Sequence, residues 1–357
     1  MNKRFFSRRI IISCVLVMIM LSACAAPAAP APAAPPAAGA EGAADPGEAS
    51  LGDPVRLVVG TTPAPAHPEN QYIFRFRDII DEKSGGNITV EVHDSAVLGD
   101  HLARLEGLRL GTIDGTLVSI GFLGGYNPLF NIFEMPYLFS CPAHQHEFYN
   151  VLAFEKVADV MLNYGFVLVG AMEMGARHIT NNVRPILTPD DLAGMLIRVP
   201  ETRASLDGLA AMGASPTPLA FSELYMALMQ GQMDGQENPV SMIYAGRFYE
   251  VQSYLSLTGH QRIQQVFLLS ESTWNRLTDE QRRMIREVER EANIYLQGVI
   301  EREESELLQR LADNGMQINE VDQAPFRERT LPLREEYISE FGELAREFFD
   351  LMDRAAR

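Results

Sequence analysis

Cysteine is nearly missing from this chain, with three in 357 residues. Cys14 and Cys24 both fall near the amino terminus, so Cys141 stands alone in the rest and an internal disulfide framework is excluded there. Positive charge is short as well. Lys and Arg number 30 against 47 Asp and Glu, a formal charge of −17. So acidic a chain is a poor partner for nucleic acid, and any anion it holds requires positive charge gathered locally. Beyond residue 20 there is no run long and apolar enough for a transmembrane helix. Catalytic signatures are equally thin. His146-Glu147 has no second histidine at zinc-protease spacing. Ser119 lacks the glycine two residues earlier that a nucleophile elbow requires. Cys141-Pro142-Ala143-His144-Gln145-His146 fits no common zinc pattern. The expectation is a protein with no metal, no cofactor and no covalent chemistry.

What is present begins with Lys3, Arg4, Arg8 and Arg9, then an apolar stretch from Ile10 to Met20 that is short for a bilayer. Leu21-Ser22-Ala23-Cys24 follows, small residues before a cysteine, which reads as a lipoprotein signal cleaved before Cys24 (residues 1–23) with the lipid on Cys24. An ordinary signal peptide cut near Ala26 is the alternative, and export is expected either way. Removing 1–23 takes away four positive charges, −17 − 4 = −21. Residues 24–54 are rich in Ala and Pro and read as the lipidated cysteine and a tether, with a reach of at most roughly 80 Å.

About 300 residues remain, enough for two domains. Val55 to Gly60 reads as a strand, Asn70 to Asp81 as a helix, Ile88 to Val92 as a strand and Ile113 to Ile120 as another. Between the last two, Asp100 can cap a helix that Gly111 closes. This alternation argues for an open α/β sheet, with ligands outside the carboxyl ends of its strands. Phe166 to Met172 is a further strand, Thr188 to Asp191 resembles a capping box, Phe221 leads into an apolar helix ended by Gly231, and Asp234 to Pro239 reads as a polar loop. Val266 to Ser270 is again strand-like. Thr278 to Gln281 is a second capping box, opening either one helix to Asn314 or two that bend near Gly298.

The most informative run is Leu196 to Val199, ended by Pro200. A buried strand there carries Arg198, and no acid lies within the run. A buried guanidinium needs an anion, supplied by a distant carboxylate or by a ligand.

The motifs around it resemble the extracytoplasmic solute-binding proteins of TRAP (tripartite ATP-independent periplasmic) transporters, the DctP-like family. They include Leu98-Gly99-Asp100, Met135-Pro136-Tyr137-Leu138-Phe139, Arg177-His178-Ile179-Thr180-Asn181, Ile197-Arg198-Val199-Pro200, Ala220-Phe221-Ser222-Glu223 and Gln236-Glu237-Asn238-Pro239. Leu257-Thr258-Gly259-His260 follows in the same order, and the match covers roughly residues 55 to 345. The resemblance implies a two-lobed α/β fold with a ligand cleft, lobe I near 55–174 and 264–303, lobe II near 175–263 and 304–345, and a tail at 346–357. It implies that Arg198 binds a ligand carboxylate, that Arg177 and Asn238 reach the ligand, and that Phe221 lines the cleft. The plainer alternatives are that Arg177 pairs with an acid across the hinge and that Phe221 is core. Ser119 occupies the place of a glutamate used by sialic-acid binders. With no substitute acid apparent in the sequence, that ligand is disfavoured. Gln264 and Gln265 are candidate hydroxyl readers. The expected partners are a small organic acid, the membrane subunits of a sodium-driven TRAP transporter, and the membrane through the lipid, with an extracytoplasmic location. A lipid-anchored sensory binder and an exported hydrolase are the alternatives.

Overall fold

Strand β1 (Val55–Gly60) is followed by helix α1 (Pro68–Ser84) and strand β2 (Ile88–His93). This is a computed structural model, and it describes residues 51–356, apart from the Glu301 side chain. The predicted signal and Cys24 lie outside those residues. Helix α1 starts where the His67 side chain accepts the Glu69 N–H, and it ends at Gly85 in the left-handed conformation. Its Tyr72, Ile73, Phe76, Ile79 and Ile80 are buried at the spacing the sequence predicts. Helix α2 (His101–Leu110), capped by Asp100 and closed by Gly111, leads into β3 (Gly115–Ser119). β1 pairs in parallel with both β2 and β3.

Short helices α3 (Pro142–His146) and α4 (Phe154–Leu162) precede a strand longer than the sequence suggests, β4 (Phe166–Asn181). Next come β5 (Leu196–Val199), α5 (Arg203–Met212), β6 (Ser215–Pro218), α6 (Phe221–Met229), β7 (Gly235–Pro239), α7 (Val240–Ala245) and the 17-residue β8 (Tyr254–Ser270). The expected polar loop at 234–239 is thus mostly β7, and every residue of that strand is buried. Its polar side chains go inward because buried partners await them, which a composition-based reading cannot see.

After α8 (Glu271–Arg276) comes α9 (Asp279–Asp313), then β9 (Gln317–Glu320). The sheet has nine strands in the order β2-β1-β3-β8-β4-β7-β5-β6, with β9 on β8. β4 and β8 run antiparallel side by side. One end of the pair meets β3, through Gln265 to Leu269, and the other meets β7, through Arg177 to Asn181. Two halves of one sheet are therefore joined by two long strands, the plan of a two-lobed α/β binding protein. The pairing slips between Glu173 and Ala176 and again between Arg177 and Ile179. Gly175 sits in that break at φ 95°, a conformation that disfavours any side chain.

α9 is one helix of 35 residues that runs through Gly298 without a break. Thr278 and Gln281 form its capping box, and at 1.5 Å per residue it spans about 50 Å. Its Ile285, Val288 and Leu296 share a core with Tyr72, Phe76 and Phe267 of the first half. Its Leu307 and Leu311 share another with Leu224, Ile243 and Leu255 of the second.

The C-terminal helices depart from expectation. α10 (Ala324–Thr330) puts Phe326 in the second half, against Ile197 and Leu209. α11 (Pro332–Phe341) and α12 (Glu343–Ala355) return to the first half, where Tyr337, Phe348, Phe349 and Met352 join Phe130, Phe133 and Phe148. The stretch expected to be a tail is therefore an amphipathic helix buried along one face. Among the described residues no helix is long and apolar enough to cross a membrane.

Candidate functional site

A cavity lies where the carboxyl ends of β1, β3 and β5 face β7, β8 and the start of α6. Arg198, Arg177, Asn238, Phe221 and Ser119 all line it. Gln264 does not. Its amide donates to the Met172 and Gln265 carbonyls and accepts from Gln145, on the opposite face of β8. Side chains alternate along a strand, so the neighbour Gln265 faces the cavity instead.

Three buried arginines differ in how the protein satisfies them. Arg104 donates to Thr116 Oγ1 and to the Gly99 and Leu117 carbonyls. Arg177 grips Glu237, with Nε and Nη2 on its two carboxylate oxygens and Nη2 also 2.6 Å from its carbonyl. Arg198, 2% exposed, directs both Nε (2.7 Å) and Nη2 (2.5 Å) at one carbonyl, that of Leu219. Among the described residues it makes no ion pair. Burial lowers its pKa to about 10, with Glu237 opposing, so it remains a cation at neutral pH. A buried guanidinium on a cavity wall with no carboxylate paired to it is a site for an anion, and its planar fork suits a carboxylate.

Glu237 is fully buried, and burial works to raise its carboxyl. Arg177 and His260 outweigh that and hold it below the usual range. His260 Nε2 lies 3.3 Å away, its Nδ1 2.8 Å from Thr258. This network fixes Arg177 in place, with its acid on the neighbouring strand β7 of the same half and not across the hinge, while still leaving Arg177 on the cavity wall. Asn238 is steered by an amide contact to Gln236 at 2.5 Å, and Gln236 in turn donates to Thr180 at 2.9 Å. Phe221 is half-buried at the start of α6, edge-on to Phe248 at 6.0 Å, so it is at once cavity wall and the rim of a core.

Sequence reasoning missed the acids. Ser119 donates to the buried carboxylate of Glu134, which burial pushes up despite that bond. The expectation that no acid stands near Ser119 is therefore corrected. The two are 15 residues apart, and Gly121 makes their approach possible because a Cβ there would overlap the carboxylate. Glu69, His67 and His101 also line the cavity. His101 stacks on Phe122 at 4.4 Å, and burial together with Arg104 lowers its pKa to about 3. Across the mouth, Ser222 Oγ donates to Asp100 at 2.9 Å, tying α6 to the N-terminus of α2.

Comparisons with known proteins agree with this arrangement. Residues 59–340 match the family model DctP, bacterial extracellular solute-binding protein family 7. The sialic acid-binding periplasmic protein SiaP of Vibrio cholerae is 32% identical over 83% of this chain and 92% of its own. A TRAP periplasmic solute-binding protein from Polaromonas sp. JS666, bound to D-erythronate, superposes with a TM-score of 0.79 at 30% identity, covering 83% of this chain and 97% of that one. Another from Bordetella bronchispeptica, with density interpreted as pantoate, also reaches 0.79, at 29% identity over 84% and 98%. The chain belongs to the DctP family, the extracellular solute-binding proteins that serve TRAP transporters.

Proposed function

We propose that this protein captures one carboxylate-containing organic acid through Arg198 and hands it to the membrane subunits of a TRAP transporter. The observation that carries the reading is the buried, unneutralised Arg198 on the cavity wall. Sialic acid, D-erythronate and pantoate, the ligands named for the three relatives, each bear one carboxylate and hydroxyl groups but differ in size and in the rest of the molecule, so kinship supports the anchor without naming the acid. On this reading the carboxylate lies on the fork of Arg198, Asn238 orients it with neutral bonds, and Phe221 covers an apolar face. Arg177, spent largely on Glu237, contributes field and its remaining Nη1. Ligand bridging the two halves favours closure, and no bond of the ligand is broken. Lipid on Cys24 holds the protein near its transporter and raises its effective concentration.

A thermal-shift screen of organic acids identifies the ligand, since an excess of about 100 times the dissociation constant adds about 2.7 kcal/mol of stability. Calorimetry on Arg198→Ala then shows a loss of at least roughly 2 kcal/mol, about thirtyfold. Arg198→Lys is nearly as weak, because an ammonium does not reproduce the planar fork. Unchanged affinity in the alanine variant rules out the anchor.

A further inference from the structure

A second cavity, of about 810 Å³, opens on the flank of the first half, between α9 and residues 146–156, and reaches Val169 of β4. It shares no lining residue with the cleft around Arg198, and its size is that of a small-molecule site. Arg286, Arg290 and Ile294 follow one another along α9 at four-residue spacing, so they form one stripe on its wall. The two arginines differ from others on the same helix. Arg282 reaches Asp279, Arg283 reaches Glu280 and Arg310 reaches Glu306. Arg286 and Arg290 make no ion pair among the described residues, and the acids beside them, Glu287 and Glu291, are both held by Lys83. Glu289 also lies on the wall, but its carboxyl is buried, and burial keeps it protonated at neutral pH. Arg286 is steadied by the rings of Trp274 and Phe154, whose centres lie 5.1 and 5.7 Å from its guanidinium carbon.

In a chain with a formal charge of −17, two unpaired guanidiniums on one cavity are a local concentration of positive charge. Lys156, on the same wall, is paired with Glu347, and Glu155 subtracts one charge from the two arginines, which leaves a formal surplus of one. Past Arg290 the wall turns apolar. Ile294 is 75% exposed, and Val151 and Leu152 are exposed in the same cavity. Large apolar side chains left open beside a cation mark a place for the body of a ligand. The stripe thus has a cationic end and an apolar end one to two helical turns apart, about 6–12 Å. A bare inorganic anion leaves the apolar end uncovered, and a neutral hydrophobe leaves the guanidiniums unpaired. We propose that this cavity is a second binding site, for a soluble amphipathic monocarboxylate whose head sits on Arg286 and Arg290 and whose ring or chain packs on Val151, Leu152 and Ile294. A bilayer of anionic lipid offers similar chemistry but is repelled by the acidity of the molecule as a whole. The assignment is independent of Arg198.

The test is calorimetry on the full chain, as wild type and as Arg198→Ala, with naphthoate and octanoate as probes. Naphthalenemethanol and octanol supply the same bodies without charge, and acetate supplies the head without a body. At least one of the two acids binds about tenfold or more tighter than its alcohol and than acetate, and it does so in both proteins. Arg290→Ala and Ile294→Asn change exposed side chains, and melting temperature confirms that the fold is kept. Placed in the Arg198→Ala chain, each weakens that acid at least about fivefold, the first by removing a donor pair and the second by removing apolar cover. Probe binding that disappears in Arg198→Ala places the acid in the cleft and overturns the inference. Equal affinity for acid and alcohol, full affinity in both wall variants, or silence from both acids overturns it as well. Sedimentation with phosphatidylglycerol vesicles and not with phosphatidylcholine vesicles, lost in Arg290→Ala and without binding of either free acid, overturns it in favour of a lipid surface.

Discussion

At the residue scale, the informative groups are those whose chemistry is left incomplete. Arg104 and Arg177 are as deeply buried as Arg198 but are provided for by the protein. Only the contrast among them singles out Arg198, since burial alone does not. Glu289 on α9 is a different case. It is 3% exposed, it accepts from Tyr72 at 3.3 Å, and a Cβ on Gly170 would overlap its carboxylate. Burial pushes it up to about 8 from 4.5. With the folded value above the unfolded one, the native state keeps its proton across that window. Its stabilising share is full below about pH 4.5 and is lost as pH rises toward 8. Glu289→Gln therefore matches the wild type in urea unfolding at pH 5 and exceeds it by at least about 2 kcal/mol at pH 8.5. An equal gap at both pH values shows that Glu289 ionises freely in the native state.

At the element scale, Gly175 marks where β4 changes its pairing with β8. Gly175→Ala lowers stability by about 1–2 kcal/mol in urea unfolding, because φ near 95° penalises a Cβ even though that atom would meet only Pro239 Cβ, at 3.5 Å. A neutral substitution indicates that the backbone relaxes there without cost. The same element shows how far the sequence could be read. The helix caps at Asp100, Thr188 and Thr278 and the strand at Arg198 were legible because their signals are local. β4 beyond Met172 and all of β7 were not. Gln236, Glu237 and Asn238 look solvated in isolation and are buried only because Thr180 and Arg177 lie across the ladder. The acid beside Ser119 was invisible for a similar reason, being brought there by a turn at residues 120–134. Gln264 and Gln265 were both offered as hydroxyl readers because motif spacing does not say which face of a strand a residue occupies, and only Gln265 lines the cavity.

At the scale of the whole molecule, the two halves communicate through β4, β8 and α9, and across the mouth through Asp100 and Ser222. Asp100 also accepts the His101 N–H at 2.9 Å, so the partner to alter is Ser222. Ser222→Ala removes one hydrogen bond worth about 1 kcal/mol to a carboxylate. Stopped-flow displacement shows the ligand leaving about fivefold faster with the association rate nearly unchanged. An unaltered dissociation rate makes the contact incidental to closure.

The return of α12 to the first half sets the order in which the protein can be completed. Phe133 packs edge-on against Phe348 at 5.0 Å, and His144 Nε2 lies 2.8 Å from the Met352 carbonyl, contacts more than two hundred residues apart in the chain. A polypeptide threading outward from its amino terminus exposes the aromatic side chains at 130, 133 and 148 long before their cover at 348–352 has emerged. Loop closure on that scale is slow, and early collapse would be incomplete and adhesive. The core of the first half is therefore not closed until residues 348–352 are available to cover those aromatics.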